Sequence, residues 1–398
     1  MRFATLLTLL TLPFAASGAT DPVFKKTVLD SFFLAEGAAI ADFNGDGHAD
    51  VVAGAKIFHG PEFTKSSAFR PPHAFDRLSY SNNFLTFTDD FNADGRPDVL
   101  VIGWPGKEAF WFENPGAAVT ADWPQHLAYF NVDSESPGFV DVDGDGLAEI
   151  VASSGARLGY MQRNAQQPTA PWSFHPISPP GKWQRYTHGI GMGDVNGDGR
   201  PDFLEANGWW EQPVSLQGDP VWKFHPQSFG SGGAQMYAYD VNGDQRADVI
   251  TSIAAHGYGV SWFEQVPSGT GASTWIEHEI TSRHAGEEIS GVQFSQPHAL
   301  ALADVDGDGL KDLITGKRHW AHGDKGDPEP NAPAVLYWFK LTRETAGATF
   351  APYLIDNDSG VGCQFPVGDL NGDGRPDIAT ANKRGVFVFR QSPSVTSP

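Results

Sequence analysis

Short apolar runs recur along the chain, and each begins where a ten-residue stretch rich in Asp, Asn and Gly ends. Seven such stretches are present, from "ADFNGDGHAD" (41–50) before "DVVAG" to "GDLNGDGRPD" (368–377) before "DIATA". Their first acids are spaced 46 to 65 residues apart. A pattern that returns at this period predicts an array of similar structural units.

Each unit contains further β-prone pieces. Most units have an aromatic run such as "AFWFENP" or "VSWFEQ" and a fourth piece such as "WKFHPQS". With the apolar run before the acid stretch, this gives four short strands separated by Gly, Pro and Asn. The predicted fold is all-β, a seven-bladed β-propeller of four-stranded blades. The last unit lacks a fourth strand, and we predict that "FKKTVLD" (24–30) supplies it and closes the ring.

The N-terminal segment has the pattern of an export signal. Residues 1–19 combine a basic start, a short apolar run and small residues at the end, which predicts a cleaved signal peptide. Residues 20–398 are then predicted to form a single propeller domain, secreted or periplasmic. No later stretch is apolar and long enough for a membrane span. The single cysteine, Cys363, predicts no internal disulfide.

The composition narrows the possible partners. The formal net charge of −21 disfavours nucleic acid, whereas 40% hydrophobic and 12% aromatic residues disfavour disorder. Five acid stretches contribute three acids each and two contribute four, which makes 23 of the 48 acids. Seven divalent ions would cancel 14 negative charges and leave about −7. The acidity is therefore explained mostly by metal coordination.

Counted from the aspartate that is the second residue of each acid stretch as position 1, oxygen-bearing side chains occupy positions 1, 3, 5 and 9. Alternate residues of a tight loop converge on one centre, and Ca²⁺ takes six to eight oxygen ligands. The fifth loop has the weakest pattern, because Gln245 replaces a glycine. The predicted calcium ligands, loop by loop, are Asp42, Asn44, Asp46 and Asp50; Asp90, Asn92, Asp94 and Asp98; Asp141, Asp143, Asp145 and Glu149; Asp194, Asn196, Asp198 and Asp202; Asp240, Asn242, Asp244 and Asp248; Asp304, Asp306, Asp308 and Asp312; and Asp369, Asn371, Asp373 and Asp377.

The opposite face has a different chemistry. If each acid loop joins the innermost strand to the second, residues six positions before each first acid surround the mouth of a central channel on the other face. These residues are Glu36, Phe84, Glu135, His188, Ala234, His298 and Cys363. The segments that follow each second strand return to the same face and are rich in basic, aromatic and histidine residues.

Histidines and cations of this face are the predicted catalytic groups, because imidazole exchanges protons near neutral pH. They are His188, His298, His256, Lys317, His319 and His322. We predict that Glu36, Glu135, His188 and His298 hold an additional divalent metal, Mg²⁺ or Zn²⁺. The predicted substrate-binding residues are Trp104, Asn207, Trp209, Trp210, Tyr258, Arg318, Trp320, Lys383 and Arg384. The alternatives are histidines that line a water-filled channel and a solvated basic loop at 317–322.

The acid stretches resemble FG-GAP or VCBS repeats, the calcium-loop units of integrin α-chain heads and of many secreted bacterial propellers. The resemblance covers residues 36 to 390 and implies the fold more than the function. "THGIGMGDVNGDGRPDFLEANGWWEQP" and "PHALALADVDGDGLKDLITGKRHWAHG" also resemble the propeller domain of the aldos-2-ulose dehydratases. That resemblance, carried by His188, Trp209, Trp210, His298, Lys317, His319 and His322, implies metal-dependent loss of water from a keto-sugar.

Two main functional hypotheses follow, and both involve a carbohydrate ligand. The first is a secreted lyase that performs metal-assisted β-elimination on a keto-sugar or uronate. The second is a lectin or adhesin without chemistry, since no motif of the chain is unambiguously catalytic. A scaffold that binds protein is a third alternative.

Overall fold

A computed structural model describes residues 21–116, 122–268, 273–345 and 347–392. The predicted signal peptide, residues 1–19, lies outside these ranges. Within them every regular element is a β-strand. The described ranges accordingly contain no helix with the length and apolar character needed to cross a membrane.

Twenty-seven strands are present in the described part of the chain. In the first half they are β1 (Val23–Asp30), β2 (Ala38–Ala41), β3 (Asp50–Ala53), β4 (Lys56–His59), β5 (Lys65–Ala68), β6 (Leu85–Asp89), β7 (Asp98–Ile102), β8 (Lys107–Phe112), β9 (Gln125–Val140), β10 (Glu149–Ser154), β11 (Arg157–Gln162), β12 (Ser173–Pro176), β13 (Ile190–Gly193) and β14 (Asp202–Glu205). In the second half they are β15 (Gly208–Glu211), β16 (Lys223–Pro226), β17 (Gln235–Tyr239), β18 (Asp248–Ser252), β19 (Val260–Pro267), β20 (Ser273–Thr281), β21 (Leu300–Ala303), β22 (Asp312–Gly316), β23 (Leu336–Glu344), β24 (Gly347–Asp356), β25 (Val367–Gly368), β26 (Asp377–Asn382) and β27 (Gly385–Ser392).

Antiparallel meanders are the building unit. Strands β2 to β5 and β21 to β24 each form a four-stranded sheet in sequence order. Strands β6 to β12 form one seven-stranded sheet, in which β9 pairs with β8 through Gln125–Val132 and with β10 through Asp133–Val140. Strands β13 to β20 form an eight-stranded sheet, where β13 and β17 run parallel to each other. Each acid loop joins the first and second strands of its meander.

The N-terminal strand pairs with the C-terminal one. Strand β1 lies antiparallel to β27, from Val23 opposite Ser392 to Asp30 opposite Val386, and completes the sheet β1-β27-β26-β25. The expected pairing of residues 24–30 with the last unit is therefore present. This pairing joins residues 356 to 369 positions apart in sequence, so β27 does not end the molecule as a free edge.

Neighbouring units approach closely where glycine is present. A side-chain Cβ on Gly191 in β13 would lie 1.9 Å from the carbonyl oxygen of Met236 in β17. A Cβ on Gly232 would lie 3.0 Å from the carbonyl oxygen of His188, and its φ of +104° also favours glycine. These glycines bring the ends of adjacent first strands together, which is where the histidines lie.

The fourth-strand histidines and several tryptophans belong to the packing between strands. His225 stacks on Trp209 at 3.9 Å between ring centroids, and His278 stacks on Trp262 at 4.2 Å. Trp209 and Trp210 are 7% and 6% exposed and lie in the hydrophobic core. The prediction that these two tryptophans bind substrate is therefore corrected: strand β15 directs both into the interior.

The acid at position 9 of each loop binds the backbone of its own meander. Asp312 is fully buried, and its two oxygens accept hydrogen bonds from the N–H groups of Val305 (2.9 Å) and Leu341 (2.8 Å). One bond closes the loop and the other reaches the third strand. The same pair of bonds recurs for Asp50, Asp98, Asp202, Asp248 and Asp377. These predicted ligands thus have a structural role that sequence reasoning did not assign.

Replacing Asp312 should destabilise the fold without any involvement of metal. In Asp312→Ala two buried N–H groups lose their acceptor, and each unsatisfied group costs on the order of 1–3 kcal/mol. The free energy of unfolding, measured by urea denaturation in chelator at pH 6, should fall by about 2–4 kcal/mol. Asp308→Ala, at an exposed position of the same loop, should change it little. Equal effects of the two variants would contradict this role.

The cost of Asp312→Ala should also depend on pH. Burial raises the pKa of Asp312 to about 7, above that of an unfolded aspartate. The stability contributed by such a group is complete below the unfolded pKa and is lost as the pH rises through about 7. In chelator, the difference in the free energy of unfolding between wild type and Asp312→Ala, measured by urea denaturation, should therefore become smaller from pH 6 to pH 8.

Candidate functional site

The strand ends opposite the acid loops are joined by backbone hydrogen bonds between units. The N–H of Glu36 donates to the carbonyl of Asn83 (2.8 Å), and the N–H of Cys363 donates to the carbonyl of Glu36 (2.6 Å). The N–H of Glu135 donates to the carbonyl of Thr187 (2.8 Å). The residues that precede the first strands are thereby fixed against one another, and the side chains of Glu36 and Glu135 have defined positions.

Three histidines and one glutamate converge at this end. The ligand atoms of Glu135, His188, His256 and His298 all lie within 4.8 Å of one another. Nε2 of His188 is 3.3 Å and Nε2 of His298 is 4.0 Å from Oε2 of Glu135. The ring of His256 is 4.4 Å from that of His298 and 5.0 Å from that of His188, centroid to centroid. This histidine cluster is the candidate metal centre.

The hydrogen bonds of the histidine cluster leave nitrogen atoms without partners. Nδ1 of His188 is 2.8 Å from the carbonyl oxygen of Tyr186, so it carries the proton and Nε2 keeps a lone pair. Among the described residues, Nε2 of His188, Nδ1 of His256 and both ring nitrogens of His298 are buried without a hydrogen-bond partner. Buried polar atoms are normally paired, so this concentration of unpaired nitrogens makes the cluster a candidate binding site.

An aspartate from an insertion supports the cluster from outside. Asp327 accepts hydrogen bonds from Nδ1 of His322 (2.9 Å) and from the N–H of His322 (2.9 Å). The same carboxylate lies 3.4 Å from Nδ1 of His256, and the rings of His256 and His322 stack at 4.1 Å. Asp327 therefore orients the imidazole of His322 and places a carboxylate beside that of His256. Sequence reasoning missed it, although it lies five residues after His322 in an insertion that already carried candidate residues.

Arg318 lies beside the cluster and is itself buried. Its Nη2 is 2.7 Å from Oε2 of Glu36, and its Nη1 is 3.6 Å from Oε2 of Glu135. Glu36, predicted as a metal ligand, is paired with this guanidinium and is outside the histidine cluster. The correction has a simple reason: a buried carboxylate next to a buried guanidinium forms an ion pair.

Electrostatics keep the carboxylate charged and two imidazoles neutral. Burial raises the pKa of Glu135, but the neighbouring His188 imidazole and the charge of Arg318 outweigh it and hold that pKa at about 2. Burial holds the pKa of His298 well below its usual value. Burial also lowers the pKa of His256, although Asp327 acts in the opposite direction. At neutral pH the cluster therefore offers one anionic oxygen, from Glu135, and the neutral imidazoles of His256 and His298.

A cavity of about 440 Å³ opens over the histidine cluster. Its walls include Glu135, His188, His256, Arg318 and His322, together with the aromatic side chains of Tyr80, Phe84, Trp104 and Tyr186. Tyr80 and Trp104 meet edge to face with centroids 4.4 Å apart. Aromatic walls around a few convergent polar groups are typical of sites for small molecules. Tyr80 and Tyr186 were not predicted, because neither lies in a repeat strand.

The other predicted residues lie around this cavity without lining it. Lys317 is buried and donates to Oγ of Ser295 (2.5 Å), and burial lowers its pKa to about 8. Lys383 donates to the carbonyl of Trp320 (2.8 Å), and its ammonium lies 4.5 Å from the Tyr80 ring centroid. His319 stacks on Trp320 at 4.6 Å, and burial lowers its pKa to about 4.

Three more predicted substrate-binding residues make local contacts. Asn207 lies in an exposed turn and its amide donates to Glu205 (3.0 Å). Tyr258 forms an isolated bridge with Ser295, and Arg384 pairs with Asp358. The structure therefore assembles His188, His256, His298, His322, Arg318 and Trp104 of the predicted set, and it leaves the rest outside the cavity.

The acid loops differ in how far basic side chains already neutralise them. Arg96 pairs with Asp94 at 2.5 Å in the second loop, and comparable arginines occupy the fourth, fifth and seventh. Lys340 contacts Asp306 and Asp308 in the sixth. In the third loop no Lys or Arg pairs with the described acids, and Asp141, Asp143 and Glu149 bring carboxylate oxygens within 4.8 Å of one another. Oε1 of Glu149 is buried there without a partner.

Sequence comparison identifies the repeats. An FG-GAP-like repeat model matches residues 90–152 and 240–315, and an FG-GAP repeat model matches residues 35–62 and 364–391. The chain carries FG-GAP repeats. Each FG-GAP match spans at least one acid loop together with the strand that follows it, which agrees with a β-propeller-like fold. No curated protein sequence matches the chain, and no similarity to aldos-2-ulose dehydratases was found.

Two solved structures are similar to this FG-GAP chain. One is BBS1N from a crystal structure of its complex with ARL6DN, with 12% identity, a TM-score of 0.50, and coverage of 94% of this chain and 98% of that one. The other is the V. cholerae biofilm matrix protein Bap1, with 15% identity, a TM-score of 0.31, and coverage of 79% and 60%. At these identities the first match shows a shared fold only.

Proposed function

We propose that the chain is a secreted, seven-bladed FG-GAP propeller with calcium in its acid loops and a second divalent metal at its channel mouth, where it acts as a carbohydrate lyase. The observation that carries this proposal is the histidine cluster. Four potential ligand atoms from Glu135, His188, His256 and His298 meet in one place, and several of the nitrogens have no other partner. The cluster lies in the wall of a cavity that is also lined by the aromatic side chains of Tyr80, Phe84, Trp104 and Tyr186.

The donor set favours Zn²⁺ over Mg²⁺. Mg²⁺ prefers oxygen ligands and retains several waters, whereas imidazole suits Zn²⁺ and related transition metals. Glu135 would neutralise part of the metal charge, and Asp327 and the Tyr186 carbonyl would fix the orientation of His256 and His188. A metal bound there would supply a Lewis acid for a carbonyl or carboxylate oxygen of the sugar.

The surrounding residues suit β-elimination. His322, held by Asp327, would accept the proton from the carbon next to the carbonyl at its Nε2. The C–H electrons form the new C=C bond as the C–O bond at the β carbon breaks. Arg318 would stabilise charge that develops on the enolate oxygen. Tyr80, whose pKa is raised by burial, stays protonated and would donate its proton to the departing oxygen.

A lectin is the second candidate, and the aromatic wall of the cavity favours it. Tyr80, Trp104 and Tyr186 present ring faces and edges over the cluster. Such a wall binds sugars whether or not chemistry follows. In that case the metal would hold sugar hydroxyls, and no bond would break.

Calcium should stabilise the chain, and the third loop should contribute clearly. A ligand that binds only the folded state at a hundred times its Kd adds about 2.7 kcal/mol. We expect Ca²⁺ to raise the thermal midpoint of the chelator-treated protein, and Asp141→Ala to lower the calcium stoichiometry in isothermal titration by one. Asp219→Ala, at an exposed acid outside the loops, is the control. No binding by the wild type would contradict the calcium assignment.

Asp327 should tune the affinity of the channel-mouth metal. Loss of an outer-shell carboxylate costs about 10- to 100-fold in metal affinity. Asp327→Asn should therefore release Zn²⁺ to a competing chromophoric chelator at correspondingly lower chelator concentration, whereas Asp324→Asn in the same insertion should not. Unchanged zinc affinity in Asp327→Asn, or wild-type protein that takes up no Zn²⁺ beyond its acid loops, would contradict the proposed centre.

Elimination can be followed by the ultraviolet absorbance of a conjugated double bond. With keto-sugars and uronate glycans as substrates, His322→Ala should lower kcat by about 10²- to 10⁴-fold, the usual contribution of a general base. His284→Ala, an exposed histidine elsewhere, should retain full activity. Absence of the signal on every substrate, with glycan binding that survives His188→Ala and His298→Ala, would favour the lectin.

A further inference from the structure

A second and larger cavity adjoins the one over the histidine cluster. It has a volume of about 660 Å³, and its lining includes Tyr80 and Trp104, which also line the first cavity. These two side chains thus form a partition with a cavity on each side. The described residues that line the second cavity carry none of the histidines and none of the acids of the cluster. Any ligand group there would bind without contact to the metal ligands.

The second cavity combines aromatic rings with polar side chains. Phe75, Phe110 and Phe112 contribute ring surface, and the exposed side chains of Asn82 and Gln125 contribute amide donors and acceptors. Aromatic carbon against the C–H faces of a sugar ring, with amides at its hydroxyl groups, is a suitable arrangement for a pyranose unit. The volume exceeds that of the first cavity, so it accommodates at least as large a unit.

Cations outnumber acids around the second cavity. Arg70 is half-buried, donates to the carbonyl of Gly54 (3.3 Å) and lies 5.0 Å from the Phe112 ring centroid. Lys107 is exposed at the rim. Arg185 is not a lining residue, but it packs over Gly106 next to Lys107, where a Cβ would lie 2.3 Å from its Nε.

Among the described residues none of these three cations has a carboxylate within salt-bridge distance, and Glu108 is the single acid in the lining. In a chain with a net charge of −21 this local excess of positive charge is unusual. Guanidinium groups bind carboxylates with paired hydrogen bonds, so an anionic ligand group matches the cavity.

We infer that the second cavity binds a neighbouring uronate unit of an acidic oligosaccharide, so that the ligand of this protein is a glycan of two or more sugar units. The inference rests on the proposed function, because it assigns the reacting unit to the cavity over the histidine cluster. The two units lie on either side of the partition formed by Tyr80 and Trp104, and the carboxylate of the second unit meets Arg70 and Lys107. The second cavity, which is separate from the metal ligands, then determines the preference for the length and charge of the oligosaccharide.

The test measures affinity against chain length. Isothermal titration of the full chain with galacturonate oligomers of one to four units should give a Kd that falls at least about tenfold from the monomer to the trimer, or about 1.4 kcal/mol. In Arg70→Gln that gain should drop below about threefold, while the Kd of the monomer stays unchanged. Arg157→Gln, whose guanidinium also donates to a single backbone carbonyl, is the matched control.

Neutral oligomers separate charge from shape. Cello-oligosaccharides of the same lengths should show a smaller gain with length, and the gain should not depend on Arg70. A Kd that does not change with length, or an equal gain for neutral oligomers, would overturn the inference.

The metal content of the same protein samples keeps the two proposals apart. Suppose that affinity rises with oligomer length and depends on Arg70 in protein that takes up no Zn²⁺ at the cluster. This result would contradict the proposed lyase and support the binding role of the second cavity. Zinc-dependent elimination, with an affinity that does not change with oligomer length, would support the lyase and contradict the inference about the second cavity.

Discussion

The buried carboxylate at position 9 of each acid loop is the interaction on which the rest of the structure depends. One oxygen of Asp202 accepts the N–H of Val195 and the other accepts the N–H of Gln212. A single side chain therefore fixes the loop and the third strand relative to the second. Because strand register is set in steps of one residue, this clamp also decides which residues reach the far end of each meander. The histidine cluster lies at most some twenty ångströms from these buried carboxylates, since short strands rise only about 3.3 Å per residue. Its position therefore depends on the register that the carboxylates fix.

The clamp has an electrostatic cost that shapes the loops. Burial raises the pKa of Asp98 to about 7 and that of Glu149 to about 8, in spite of their backbone hydrogen bonds. Neighbouring aspartates of the same loop act in the same direction. A cation at the loop centre would remove both penalties at once, and the basic side chains of several loops already do so in part. Among the described residues the first and third loops lack a Lys or Arg partner, and the third, where oxygens of Asp141, Asp143 and Glu149 lie within 4.8 Å of one another, has the stronger physical need of a cation.

The sequence predicted the repeat and the end of the molecule at which the site lies, because both follow from register. His188 and His298 stand six residues before their loops, and their rings lie 5.3 Å apart, centroid to centroid. Register could not predict Asp327 or Tyr80, because both come from connections whose path is set by tertiary contacts. It also could not separate Trp209 and Trp210 from surface aromatics, since a four-residue strand buried on both faces has no alternation to read.

The arrangement of partners around the cluster distinguishes a binding site from an ordinary polar core. An imidazole that serves structure is expected to resemble His225, which stacks on Trp209 and pairs with Glu211 at 2.7 Å. His298 is more deeply buried, yet both of its nitrogens lack a partner, and each such atom costs on the order of 1–3 kcal/mol. Burial, together with the charge of Arg318, holds the pKa of His298 well below its usual value, so protonation does not relieve that cost. A cation held by one nitrogen of each imidazole and one oxygen of Glu135 would give several of these atoms a partner at once, although one nitrogen of His298 would still need a different one.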